Sequence, residues 1–183
     1  MINDKIKRII KRDLQEITVS YNMHIALKSM WKDNPKIFPD EFLGLCSIAL
    51  FNEIISHLIK VLDINKQSAT FYTIYEQLSG EVDKILKNNK MNLEFIKMMT
   101  KRLRLIRDKT HFHIDKKRFM EAPMVWKEAN ITFNELEKTV TTLHKVLNKL
   151  YKKYVSKLEP FVIYDGSDAS VVVKLVKENL TNL

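Results

Sequence analysis

The chain has 183 residues, enough for one domain with a sizeable core, and it contains only three glycines and four prolines. Its formal net charge of +9 and pI of about 9.5 favour polyanionic partners. The single Cys46 excludes an intrachain disulfide and a cysteine-built zinc site. Charges interrupt the apolar residues of 1–14, and the longest apolar stretch, 42–51, is about half of the ~20 residues that a membrane span needs. We therefore expect a cytoplasmic protein with no membrane partner.

Helical periodicity predicts two long helices at the start of the chain. The first covers 3–32, and its apolar stripe consists of Ile6, Ile10, Leu14, Ile17, Tyr21, His24 and Trp31. Pro35 and Pro39 interrupt the pattern, and Asp40 is a predicted cap for a helix that reaches about Leu62. Apolar residues cover more than one face of this second helix, which favours the central position in a bundle.

Three shorter helices are predicted next. Ser68 caps a helix that ends at Leu78, and Gly80 marks a bend before another helix at 81–88. The following helix, which carries the motif described below, is predicted to start at Asn92. The residues of that helix predicted to face inward are Ile96, Met99, Leu103 and Ile106.

The last third of the chain begins with a predicted polar loop that contains Pro123. Thr132 and Glu135 then form a capping box. The helix that follows carries a seam of Leu136, Val140, Leu143, Leu147, Leu150, Tyr154 and Leu158, and Pro160 ends it. The tail, 161–183, is predicted to start extended and then to form a short helix capped by Asp168. Residues 1–160 are thus expected to fold as an all-α, up-and-down bundle of four to five long helices.

The segment RDKTHFHID, residues 107–115, combines an arginine, two acids and two histidines. Arginine binds phosphates through a rigid fork of donors, and histidine transfers protons near neutral pH. Residues 97–118 hold nine Lys and Arg against Asp108 and Asp115, so +7 of the chain's +9 lies around this segment. The combination is typical of a site that binds or cleaves RNA.

Arg107 and His113, with five residues between them, resemble the signature of the HEPN superfamily (higher eukaryotes and prokaryotes nucleotide-binding), an arginine followed after four to six residues by a histidine. The segment RDKTHFHIDK is similar to the abortive-infection branch, where Arg-Asp-Lys precedes an apolar residue and His-x-Asp. Residues 47–78 resemble the same branch, where a long apolar helix ends in Leu-Asp and a Lys-x-Ser segment opens the next. The resemblance covers about residues 10–155.

This resemblance implies a helical bundle that forms a homodimer, with the two motifs meeting at the interface. It also implies metal-independent RNA cleavage in which Arg107 holds the scissile phosphate and His113 acts as acid or base, with no cofactor. Asp108 or Asp115 would orient a histidine or the arginine. The predicted RNA-binding residues around the motif are Lys101, Arg104, Lys109, Lys116 and Lys117. For such a toxin, an antitoxin partner is a further expectation.

Two departures from the family pattern concern the histidines. Asp115 stands where one form of the motif has a tyrosine, and His111 is atypical two residues before His113. On a continuous helix Arg107 and His111 share a face, whereas Arg107 and His113 are about 240° apart. Spacing alone favours His111 as the proton carrier, and the resemblance favours His113. Both are consistent if the helix ends near Thr110 and the chain turns.

Structural roles compete with each functional one. Arg107 and Asp108 would form only a helix-end salt bridge in the simplest alternative. His24 and His57 lie on largely apolar helices, where a core or interface role is expected, and Glu53 with His57 does not make a metal site.

Three hypotheses follow from the sequence. The leading hypothesis is a HEPN-type endoribonuclease that acts in phage defence or as a toxin. The second is a catalytically inactive RNA-binding or antitoxin-like helical dimer, and the third is a structural dimer without a nucleic-acid role.

Overall fold

The computed structural model describes residues 2–33, 41–65, 68–111, 122–158 and 160–180. Within these ranges the chain forms seven α-helices and one π-helical turn, and no strand. The helices are α1 (Asp4–Asp33), α2 (Glu41–Leu62), α3 (Phe71–Asn88), α4 (Leu93–Ile106), α5 (Ala122–Ala129), α6 (Phe133–Tyr154) and α7 (Ser167–Leu180); the π turn, Arg107–His111, directly follows α4. The predicted all-α helical bundle is confirmed.

The centre of the bundle is α1, which packs against α2, α3, α6 and α7. Its stripe of Ile6, Ile10, Leu14 and Ile17 is buried, as its period predicts. The expectation that α2 is central is wrong. The first half of α2 exposes Phe42, Leu45 and Ile48, so its apolar residues on more than one face do not all meet the core.

The second half of α2 is a core helix. Ile54, Ile55 and Leu58 are fully buried there. The segment Phe42–Leu62 is nevertheless long and apolar enough to cross a membrane by length and composition alone, with a third of the tested window buried. This segment is longer than the uninterrupted apolar stretch 42–51. The second half of α2 contains only scattered polar residues, so the mean hydropathy of the whole segment is still high. Core helices of soluble proteins meet the same criterion.

The chain between α2 and α4 differs from the prediction in two details. The N-cap of α3 is Thr70 rather than Ser68, because Ser68 donates its hydroxyl to Asp63 in the preceding turn. The predicted break at Gly80 is a kink inside one helix, and the non-helical residue is Leu78 (φ −131°, ψ 29°). Helix α4 starts at Leu93, next to the predicted start at Asn92, and Asn92 caps it by accepting a hydrogen bond from the Phe95 amide at 2.9 Å.

The sequence predicts a loop around Pro123, but the structure has helix α5 there, because proline is well tolerated in a first helical turn. The predicted capping box of α6 is confirmed, with reciprocal hydrogen bonds between Thr132 and Glu135. The helix ends at Tyr154, six residues before Pro160, so Leu158 lies outside the seam and is 78% exposed.

The tail folds back onto α1. Asn22 donates its side-chain amide to the Val162 carbonyl and accepts from the Tyr164 amide, both at 3.0 Å. These side-chain bonds satisfy backbone groups that a strand partner would otherwise engage. Helix α7 begins one residue before the predicted cap Asp168, and its Val173 is fully buried.

A carboxylate lies inside the apolar stripe of α1. Asp13 is fully buried, four residues after Ile9 and four before Ile17. Its Oδ1 accepts from Arg12 at 3.0 and 2.5 Å, and its Oδ2 has no partner in the described part of the chain. Burial raises the pKa of Asp13 to about 7, against the lowering effect of Arg12. The native chain therefore binds a proton here that the unfolded chain releases near pH 4.

We expect Asp13→Asn to change how stability depends on pH. The raised native pKa stabilises the wild type below about pH 4, and that contribution is lost as pH rises toward 7. Between pH 4.5 and 8 the variant should therefore gain on the order of 2–4 kcal/mol in free energy of unfolding relative to the wild type. Urea denaturation across this range measures the difference, and parallel pH profiles would contradict the assignment.

Candidate functional site

Arg107 is positioned by a change of helix type. Its predecessors Leu103 and Ile106 are buried and fix the end of α4 in the core, and the π turn begins at Arg107. Such π turns are frequent at functional sites, because the altered winding places side chains where an α-helix would not. The continuous α-helix assumed for the spacing of the histidines therefore ends at Ile106 rather than near Thr110.

Two carboxylates hold the guanidinium of Arg107. Nε donates to Asp108 Oδ1 at 2.8 Å, and Nη1 donates to Asp63 Oδ1 at 3.2 Å. The side chain is 26% exposed. The Arg107–Asp108 salt bridge that was the simplest alternative role therefore forms. Asp108 also accepts from Arg104 Nε at 3.3 Å. Burial alone would lower the pKa of Arg107, but the hydrogen bonds and charges of Asp108 and Asp63 outweigh it and raise the pKa.

Asp63 is the first residue after α2, and local hydrogen bonds fix its carboxylate. Oδ2 accepts from the Ser68 hydroxyl at 2.8 Å, and Oδ1 accepts from the Asn65 amide at 3.1 Å. Thr70, the cap of α3, donates its hydroxyl to the Asp63 carbonyl at 2.8 Å. Burial raises the pKa of Asp63, but Ser68, Asn65 and Arg107 together bring it below its usual value. The α2–α3 turn therefore presents a rigid, ionised acid to Arg107 at neutral pH.

A cleft of about 610 Å³ opens beside this pair. It lies between α1, the end of α2 and the α2–α3 turn, and its size suits a small ligand or part of a polymer. Its charged lining residues are Arg12, Glu16, Lys60, Asp63 and Arg107. Three cations thus face two acids across one cleft.

The cations opposite Arg107 are themselves paired. Arg12 binds the buried Asp13 and also donates to the Ala69 carbonyl, which joins α1 to the α2–α3 turn. Lys60 lies 3.2 Å from Glu16 Oε2.

Glu16 accepts two contacts on the other wall of the cleft. His57 Nδ1 is 2.7 Å from Glu16 Oε2, and its Nε2 is 3.2 Å from Glu53. Burial raises the pKa of Glu16, and His57 and Lys60 more than offset this, so its pKa is lowered. The other histidine predicted to have a core or interface role, His24, also has an acidic neighbour. It is fully buried and lies 3.5 Å from Glu137.

The structure brings some of the predicted RNA-binding residues together. Lys101 and Arg104 are exposed one turn apart on α4, and Arg104 joins the Asp108–Arg107 network. Lys109 instead pairs with Glu128 of α5, at 3.3 Å.

Several predicted residues cannot be placed. His113, Asp115, Lys116 and Lys117 lie outside the described residues, as does the side chain of His111. The roles of both histidines stay predictions.

Sequence reasoning missed Arg12, Glu16, Lys60 and Asp63 as members of the cleft. A signal for Arg12 was present, because the adjacent Asp13 interrupts the apolar stripe of α1 and a buried charge requires a partner. Asp63 stood in the Leu-Asp pair quoted for the family resemblance, but nothing in the spacing linked it to Arg107, 44 residues away.

Among the described residues, no group of three or more histidine, cysteine or acidic side chains could hold a metal ion. Comparisons of the chain with protein-family models, with curated proteins and with solved structures found no match. Functional inference therefore depends on the geometry of the cleft and on the sequence motif.

We expect Asp63→Ala to lower the free energy of unfolding by about 1–3 kcal/mol, because Arg107, Ser68 and the Asn65 amide each lose an acceptor. Asp63→Asn keeps an acceptor oxygen and should lose less. Asp83→Ala is the control, since Asp83 is exposed and bonds only to Tyr75 among the described residues, and it should change stability by less than about 0.5 kcal/mol. Equal effects of the two alanine variants in chemical denaturation would exclude Asp63 as an anchor of the turn.

Proposed function

We propose that this protein is a HEPN-type endoribonuclease that cleaves RNA without a metal ion, in phage defence or as a toxin. The supporting observation is that two carboxylates fix Arg107 at the edge of a cleft that also contains Arg12 and Lys60. The sequence resemblance assigns the phosphate contact to this same arginine. The geometry thus favours Arg107 as a preorganised phosphate ligand rather than a solvated surface charge.

The bonding of Arg107 leaves donors for a phosphate. A guanidinium has five N–H groups, and the two contacts engage Nε and Nη1. No described residue accepts a hydrogen bond from Nη2. Asp63 and Asp108 therefore orient the fork while its Nη2 edge stays available for a phosphate oxygen. Donors fixed in advance stabilise developing negative charge without reorganising during the reaction.

The proposed reaction is an internal transesterification of RNA. The ribose 2′-oxygen attacks the adjacent phosphorus, the P–O5′ bond breaks, and a 2′,3′-cyclic phosphate and a free 5′-hydroxyl are formed. A base removes the 2′-hydroxyl proton and an acid protonates the leaving 5′-oxygen. His113 is proposed for one of these transfers, and Arg107 for stabilising the extra negative charge on the phosphate.

We expect wild-type protein to cleave RNA in EDTA and His113→Ala to reduce the rate by about 10²–10⁴-fold while leaving RNA affinity nearly unchanged. His111→Ala should be milder. Arg107→Ala should lose cleavage and part of the affinity, because arginine binds the phosphate before and during the reaction. Single-turnover cleavage of labelled RNA and equilibrium binding measure the two effects, with Lys149→Ala as an exposed control.

The ranking of the variants separates the alternatives. If His111 were essential and His113 dispensable, the resemblance would have assigned the wrong histidine. Binding without cleavage by the wild type would support the catalytically inactive RNA-binding or antitoxin-like dimer. Neither binding nor cleavage would overturn the proposal.

The proposed catalytic unit is a homodimer in which both copies contribute Arg107 and His113 to one site. Sedimentation equilibrium should therefore give twice the monomer mass of 21.6 kDa at tens of micromolar protein, roughly where standard-size interfaces persist. A monomer under these conditions would contradict the composite site. Below the dissociation constant of the dimer, the specific cleavage activity should fall as the protein is diluted. A constant specific activity on dilution would also contradict the composite site.

A further inference from the structure

Two further depressions share lining residues with the cleft at Arg107. A small crevice of about 10 Å³ shares Ile59, Asp63 and Arg107 with it and is also lined by Arg104 of α4. A depression of about 540 Å³ along the first turns of α1 shares Arg12 with it. We call the three depressions together the groove, and its basic lining residues are Lys5, Arg8, Arg12, Lys60, Arg104 and Arg107.

The α1 end of this groove carries two exposed cations, of which Arg8 interacts electrostatically with Asp4. Lys5 and Arg8 are exposed, and no described residue forms a hydrogen bond or an ion pair with either side chain. The one acid in the same depression, Asp4, is bonded to Lys7 at 3.0 Å. The lining of this depression thus has three cations, Lys5, Arg8 and Arg12, against one acid, whereas the cleft has three cations against two acids.

Neither of these cations belongs to the basic segment around the RNA-binding motif. They are about 100 residues earlier in the chain, and only the fold aligns them with Arg107. Arg12, which lines both depressions, connects them to the cleft that Arg107 lines.

We propose that this groove binds single-stranded RNA, with the backbone running from Arg104 past Arg107 and Arg12 to Arg8 and Lys5. Cations spaced along a groove are the usual means of following a single-stranded backbone. A flexible strand can bend into the cleft at Arg107, and unpaired nucleotides are the usual targets of RNA-binding proteins. The ligand class depends on the proposed function, which supplies RNA as the substrate.

The lining also indicates the mode of recognition. The described residues of the three depressions include no aromatic side chain, so bases have no stacking platform there. Arginine and lysine contacts to phosphates carry no sequence information. The groove is therefore expected to bind with a steep salt dependence and little base preference.

The test reverses charge at the exposed end of the groove in the full chain. Lys5→Glu with Arg8→Glu leaves Arg107 and the Arg12–Asp13 contact intact, and acids near a helix N-terminus are well tolerated. Lys149→Glu with Lys157→Glu is the matched control, since it changes net charge equally on exposed residues outside the groove. The probe is a labelled 2′-O-methyl oligouridine of about 12 nucleotides, which cannot undergo 2′-attack.

At about 0.1 M salt the groove variant should bind the probe at least about tenfold more weakly than the wild type, and the control within about twofold. The slope of log affinity against log salt should fall by about 1.4, or 0.7 for each lost phosphate contact to a single strand. An unchanged affinity in the groove variant, together with weaker binding by Arg107→Ala, would overturn the groove and leave the proposed function standing. A duplex probe with equal affinity and equal loss would overturn the assignment to single strands.

Cleavage of unmodified RNA in EDTA by the same proteins separates the two proposals. If the wild type does not cleave but the groove variant shows the expected loss of binding, the ribonuclease proposal fails and the groove is supported.

Discussion

The contact between Arg107 and Asp63 links two parts of the chain that are 44 residues apart, the end of α4 and the turn after α2. The Ser68 hydroxyl and the Asn65 amide fix the Asp63 carboxylate, so the α2–α3 turn determines where the Arg107 guanidinium lies. On the other side, Asp108 anchors Nε from within the π turn itself. Moving any of these groups would displace the arginine, and with it the edge of the cleft.

The arrangement has an electrostatic consequence. A half-buried arginine loses hydration, and two acids compensate for that loss while neutralising much of its charge. A phosphate must therefore be attracted by more than Arg107, and Arg12 and Lys60 across the cleft contribute to the local field. Both are also paired with acids, so in the proposed groove the exposed Lys5 and Arg8 add to the long-range attraction.

The local patterns in the sequence predicted most helices, because apolar period and capping residues act over a few residues. The start of α4 near Asn92 and the Thr132–Glu135 capping box of α6 were predicted in this way. What failed depended on tertiary context: Ser68 resembled a cap but binds Asp63, and the apolar first half of α2 is not covered.

The candidate site was also predicted only where its residues are close in sequence. Arg107 and Asp108 were identified from adjacent residues, whereas Asp63, Lys60 and Arg12 come from other helices and no spacing rule connects them to the motif. Asp13 gave one indication of Arg12 in the sequence, because an acid in an apolar stripe is buried and requires a partner.

We propose that Arg107, held by Asp63 and Asp108, contacts the phosphate of bound RNA. NMR of the arginine Nε–Hε resonances during titration with an uncleavable 2′-O-methyl oligonucleotide tests this contact directly. We expect a saturable shift of the Arg107 resonance that follows the same binding curve as Arg12. Saturation of the protein with the Arg107 resonance unmoved would contradict it.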